Sequence, residues 1–163
     1  MERKNKATKT IFLLLLSMLL LHLDCSFCHA WNQDAIIGKW RDLRGTFEIE
    51  VYKNKEKYHG KILWLKEPNY RENDRKGMAG KPKIDRDNPD LALRNRPLLN
   101  MDLFWGCVFT ENQRWEKGLF YDPLKGKTYQ CSISMDTPEW LRVRGYIGTE
   151  ILGMTMFLKR IEG

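Results

Sequence analysis

Apolar and polar residues alternate along four consecutive runs in the second half of the chain: Trp115–Tyr121, Lys127–Met135, Glu139–Ile147 and Glu150–Arg160. In the second run Tyr129, Cys131, Ile133 and Met135 interleave with Thr128, Gln130, Ser132 and Ser134. A period of two marks a strand with one face buried. The breaks carry turn chemistry: Asp122-Pro123-Leu124-Lys125-Gly126, Thr137-Pro138 and Gly148. Proline presets φ at such reversals and glycine takes positive φ. The first half has the same rhythm at Gly38–Leu43, Thr46–Tyr52 and Tyr58–Leu65, and Met101–Thr110 is a more apolar fourth run. In Tyr58–Leu65 the alternation groups Tyr58, Gly60, Ile62 and Trp64 on one face; in the next half Trp115, Lys117, Leu119 and Tyr121 share one.

Eight short strands with regular turn signals predict an all-β domain, an antiparallel up-and-down barrel that closes on itself and so has no free edge. Helix is confined to a turn at Asn32–Ile36 and another at Leu91–Arg94, capped by Asn88 or Asp90. Lys66–Asn100 has no strand period and is rich in Asn, Asp, Arg, Lys, Pro and Gly. A loop of this length in a compact domain has a purpose or lacks order. It is expected to fold over one barrel end, with Glu67–Lys83 its looser part.

The N-terminus changes the picture of where the protein works. Arg3, Lys4, Lys6 and Lys9 precede an apolar run from Ile11 to Leu23, and Cys28-His29-Ala30 closes it with small residues at the right spacing. This is the pattern of a secretory signal, cleaved after Ala30, and predicts a periplasmic or secreted domain beginning at Trp31. An uncleaved anchor is the alternative. Cys25 follows Asp24 and Cys28 follows Phe27, which disfavours a lipidated cysteine. Residues 31–163 then form a single domain.

Charge adds little. The chain carries +7, but four of its 28 Lys+Arg and two of its 21 Asp+Glu lie in the leader, so the domain keeps +5. The two signs interleave, which is ordinary solvation of outward strand positions rather than a nucleic-acid footprint. An anionic surface or an envelope protein stays open as a partner. Cys107 and Cys131 remain after cleavage. A meander puts a strand between them, roughly 9–10 Å across, so two buried thiols are expected rather than a disulfide.

Candidate chemistry is thin. His59 is the only histidine after the leader, so no Ser-His-Asp set and no His-rich metal site can be assembled. Asp85, Asp87 and Asp90 could offer oxygens to Ca²⁺, but Pro89 breaks the calcium-loop spacing, and an Asx turn accounts for them. Neither catalytic residues nor a cofactor or metal is predicted; a cryptic enzyme using Asp87 or Asp90 is the remote reading. Arg94, Arg96, Arg142 and Arg144 could clamp an anion or pair with the loop aspartates. Trp64, Trp105, Trp115 and Tyr129 could be core or ligand wall. Arg144 and Tyr146 share a face with Trp140 and would enter a cavity if that face points inward.

Two sets of residues resemble known proteins. Gly38-x-Trp40 opens the first strand and Arg160 closes the last, as in lipocalin-like barrels, where the indole plugs the floor under a cation worth ~0.5–2 kcal/mol. Gly60-Lys61-Ile62-x-Trp64, Asp87-Asn88-Pro89-Asp90, Leu93-Arg94-x-Arg96-Pro97, Trp115-x-x-Gly118, Tyr121-Asp122-Pro123, Gly126-Lys127-x-Tyr129 and Arg144-Gly145-Tyr146-Ile147-Gly148 follow in order. Over Ile36–Arg160 this resembles the bacterial domain of unknown function 2147 family. Asn100 stands where that family usually has glycine. The resemblance implies an exported lipocalin-like barrel and no particular activity. The expected function is non-enzymatic binding of a small apolar or amphipathic ligand through Arg144, Tyr146, Trp64 and Tyr129. The alternative is a filled barrel whose basic loop, through Arg94 and Arg96, meets a partner or an anionic surface.

Overall fold

The computed structural model describes residues 32–161. The expected leader, its expected cleavage point and Trp31 lie outside the described residues. The eight strands are β1 (Gly38–Asp42), β2 (Phe47–Asn54), β3 (Lys57–Leu65), β4 (Asp102–Phe109), β5 (Arg114–Asp122), β6 (Lys127–Thr137), β7 (Trp140–Ile147) and β8 (Thr149–Arg160). They pair in chain order, all antiparallel, and β8 returns to β1 through Trp40 opposite Arg160. The predicted closed up-and-down barrel is the observed one. Helix among the described residues is two 3-10 turns, Gln33–Ile36 and Leu91–Leu93. The Asn32 side chain caps the first and Asp90 the second.

A meander gives the barrel two unlike ends. The 3-10 turn before β1 and the β2–β3, β4–β5 and β6–β7 turns share one end. The β1–β2, β3–β4, β5–β6 and β7–β8 connections share the other.

The first end is a floor. Trp40 and Trp115 are fully buried there with Tyr58, Ile36 and Met135. Trp40 Nε1 donates to the Ile36 carbonyl at 2.9 Å, and Trp115 Nε1 to the Gln33 carbonyl at 3.0 Å. The Arg160 guanidinium lies 4.1 Å from the Trp40 ring centre and donates to the carbonyls of Ala35, Ile37 and Pro138. Burial is what lowers the Arg160 pKa from its usual value. Gly38 is needed here. Its φ is +137°, and a Cβ would stand 2.9 Å from Arg160 Nη1.

Two bulges correct the face assignments made from strict alternation. Across β2 and β3, Ile49 faces Ile62 but Glu48 faces Trp64, so Leu63 is an extra residue. One extra residue reverses the faces beyond it. Trp64 therefore joins Arg41 and Glu48 outside the barrel, 41% exposed, and Leu65 turns in. In β5, Trp115 faces Ile133 while Gly118 faces Cys131, and Lys117 takes a φ of +62°. Trp115, Gly118 and Phe120 point inward, and Leu119 stands outside opposite Trp105.

Gly118 also corrects the spacing argument about the cysteines. Both are free and buried. They are not held apart by a side chain of β5, because Gly118 has none. Cys107 Sγ occupies the place a Cβ would take, 2.2 Å from its ideal position, and Cys131 is Gly118's direct partner. The Cys131 thiol hydrogen-bonds to Cys107 across the gap, which with burial holds its pKa well above the usual thiol value.

The long connection 66–100 is ordered by its own contacts. Asn69 bridges Pro82, Ile84 bridges Pro97, and Arg86 stacks 4.1 Å from the Tyr70 ring while pairing with Asp74 at 2.7 Å. The segment Glu67–Lys83 is thus a small hairpin rather than structureless. Asn100 has a φ of +65°, the left-handed conformation that favours the glycine usual in the family; asparagine tolerates it best among the rest.

Candidate functional site

The open end holds a cavity of about 600 Å³. Its wall comes from inward positions of six strands: Phe47, Ile62 and Leu65, Leu103, Phe120, Val143, and Met154 with Met156. Leu98 and Lys83 of the long connection close one side. Leu43, Arg44, Pro123 and Leu124 form the rim. Gly145 is the one glycine in the wall. Gly145 leaves room that the Phe120 ring partly takes, at 3.1 Å from an ideal Cβ.

Two carboxylates border the cavity, and neither is free for chemistry. Asp42 accepts from the backbone of Arg44 (3.1 Å), Thr46 and Phe47 (2.9 Å) and from the Thr46 hydroxyl (3.0 Å). Burial alone would raise its pKa; the four hydrogen bonds outweigh it and hold the carboxyl below its usual value. Asp122 accepts from Leu124 N–H and pairs with Lys125, each at 3.0 Å. A cavity with an apolar wall and satisfied rim carboxylates can take up an apolar body. It offers no nucleophile–base pair.

The residues singled out from the sequence fall elsewhere. Arg144 and Tyr146 alternate with buried Leu141, Val143 and Gly145, so they lie on the outer wall. That corrects the expectation that their face would enter the cavity. Arg144 donates to the Glu150 and Ile151 carbonyls and to Thr155 Oγ1, bracing the β7–β8 connection. It borders a polar groove of about 230 Å³ with Arg114, Ser132, Ser134, Arg142 and Glu150. Trp64 is outside for the reason given above. Tyr129 points inward, 6.4 Å from the Phe120 ring centre, but the cavity is bordered by Phe120. The four do not come together.

Arg94 and Arg96 are engaged within the protein. Arg96 pairs with fully buried Asp85 at 2.8 Å, and Arg94 donates to the Asn88 carbonyl at 2.7 Å. Asp85 also accepts from Tyr121 Oη (2.6 Å) and Asn88 Nδ2 (2.6 Å). Burial first, then the hydrogen bond to Asp85, raises the Tyr121 pKa to about 12. Asp87 pairs with Lys76, and Asp90 caps the 3-10 turn. Asp85, through Tyr121 of β5, thus pins the connection to the barrel, while Asp87 and Asp90 order it internally. Among the described residues no three metal-capable side chains stand together.

The profile described as "Uncharacterized protein conserved in bacteria (DUF2147)" matches residues 38–160. The chain belongs to the DUF2147 family. Among solved structures, this DUF2147 barrel is similar to protein HP1028 from the human pathogen Helicobacter pylori, which is described as belonging to the lipocalin family. The two are 20% identical with a TM-score of 0.62, over 78% of this chain and 83% of that one. The likeness shows a shared fold. A redesigned β-barrel also aligns, at 13% identity and a TM-score of 0.41 over 80% of this chain and 95% of its own. No curated protein matches the sequence.

The cavity wall was missed by sequence reasoning in a specific way. Val143, Met154 and Met156 stand out only as alternation, with no polar flag to separate wall from core. Leu65 turns in only through the bulge at Leu63.

Proposed function

We propose that this DUF2147 protein is exported and binds a small, partly apolar ligand in the open end of its barrel, without catalysing a reaction on it. The cavity carries the reading. Its volume of about 600 Å³ lies within the ~300–1,000 Å³ of small-molecule sites, and its wall is nearly all aliphatic, aromatic or thioether. A barrel of eight strands either packs its interior or encloses one small ligand. Here the floor half is packed and the mouth half is hollow. The satisfied rim carboxylates support binding over catalysis.

Native mass spectrometry of the protein purified from its own host tests this directly. A bound mass that departs on denaturation is the expected result. A solution probe gives the second arm. An amphipathic dye such as anilinonaphthalene sulfonate should bind the protein and be lost about tenfold or more from Val143→Phe, whose added ring fills the cavity. Unchanged dye affinity in a folded Val143→Phe chain would sink the cavity as the site.

A further inference from the structure

The mouth end also carries apolar side chains that stand out into solvent from the cavity rim and beyond it. Leu43, Leu124, Ile147, Ile151 and Leu152 are between 61% (Leu43) and 87% (Ile151) exposed. Leu43 and Leu124 stand in the β1–β2 and β5–β6 connections, and Ile147, Ile151 and Leu152 flank the β7–β8 turn at Gly148, so all belong to the mouth side of the meander. Soluble monomers rarely gather large apolar side chains this way, and such a patch marks an interaction surface.

Its charge setting narrows the partner. Arg44 and Lys125 directly follow Leu43 and Leu124 in the chain, and Lys66, Lys83 and Lys127 stand at the same end. The carboxylates nearby are consumed: Asp42 and Asp122 by backbone N–H groups and by Lys125, Glu150 by Arg114 on the outer wall at 2.8 Å. The connection 66–100, at this same end, has nine Lys+Arg against six Asp+Glu. Arg44, Lys83 and Lys125 each have a carboxylate within 4.0 Å, from Asp42, Glu67 and Asp122, but cations outnumber carboxylates at this end, and apolar tips beside such an excess match a bilayer that presents acyl chains beneath anionic headgroups.

We propose that the mouth end of the barrel docks on an anionic phospholipid surface, with Leu43, Leu124, Ile151 and Leu152 entering the headgroup layer and the basic residues against its phosphates. Leu43, Arg44 and Leu124 also rim the cavity, but vesicle association is read without any cavity ligand, so the test does not require that one be found.

The test is flotation of the purified protein with vesicles of phosphatidylcholine alone or of equal parts phosphatidylcholine and phosphatidylglycerol. The protein floats with the phosphatidylglycerol vesicles, and added salt weakens the association. L124S/I151S/L152S lowers it about tenfold or more, and so does R44E/K125E. Leu119→Ser, which removes an exposed leucine from the outer wall, leaves it unchanged. Should the triple variant fail to fold, L124S and I151S singly carry the same comparison. Absence of flotation by the wild-type chain overturns the proposal. Equal flotation with neutral vesicles, or flotation indifferent to the mouth variants, also overturns it. A concentration-dependent dimer that the triple variant dissolves, without vesicle binding, assigns the patch to a second copy of this chain instead. Dye binding in the cavity that survives any of these failures leaves the ligand reading standing on its own, and Val143→Phe should float as well as wild type.

Discussion

Gly118 shows how much a single missing side chain can hold together. Cys107 Sγ and Cys131 meet because nothing projects between them, and the strands on either side of β5 are drawn in. Gly118→Ala would put a methyl 2.2 Å from that sulfur and 3.0 Å from the Trp105 carbonyl. Overpacking of this kind costs about 1–3 kcal/mol. Denaturant titration should show that loss, and Cys107→Ala in the same chain should restore part of it. A second residue-scale prediction concerns alkaline pH. Burial first, and then a hydrogen bond to a carboxylate, raises Tyr52, Tyr58 and Tyr121 to about 12 each, through Asp102, Asp34 and Asp85 respectively. The ordinary value is 10.0. A raised folded-state pKa means that the folded chain holds the proton more tightly. The stability it contributes is complete below pH 10 and drains away as pH rises toward about 12. Tyrosinate absorbance in the folded protein should therefore lag behind that of the denatured chain, and unfolding should set in across that window.

At the scale of elements, the strands were legible and their faces were not. Period-two runs located all eight strands to within a few residues, because a half-buried strand must alternate. The bulges at Leu63 and Lys117 leave no such trace, since an extra residue looks like any other until its partner strand is known. Trp64 was assigned to the interior on that account. The faces of β7 posed a different problem: Arg142, Arg144 and Tyr146 looked like a site because their chemistry is conspicuous, while the plain residues between them face the cavity. The long connection yielded its contacts more readily. Aspartates and arginines in its sequence pointed to internal pairing, and Arg96 with Asp85 realises it. Asp85 is the hub, accepting from Tyr121, Arg96 and Asn88 while fully buried. Asp85→Ala leaves the Tyr121 phenol and the Asn88 amide without their acceptor, while the part-exposed Arg96 turns to water, at about 1–3 kcal/mol. Limited proteolysis should then cut within residues 66–100 in a barrel that otherwise keeps its β-sheet circular dichroism. Equal protease resistance of variant and parent would show that the connection is held by something else.

At the scale of the whole molecule, hollow and packed halves divide the labour. Closing the ring at Trp40 and Arg160 removes the last sheet edge, and the indole with its overlying cation fills the narrow end. The mouth is spanned by turns, carries the exposed apolar tips and encloses the empty space. Fold and closure could be argued from alternation together with two residues at the ends of the sheet. The hollow could not, since it depends on how far side chains from six strands reach toward one another, and no single segment encodes that distance.

The floor has a further consequence for anything attached to the domain. Asn32 caps the 3-10 turn beneath β1, and Ile161 N–H bonds to the Lys39 carbonyl beside it at 2.9 Å. Entry and exit of the polypeptide thus share the sealed pole, with Arg160 gripping the carbonyls of the incoming segment. Residues 32 and 161 therefore mark one pole of the domain and the aperture marks the other, so a fluorophore on a cysteine placed at residue 124 should sense an occupant of the hollow and one placed at residue 32 should not.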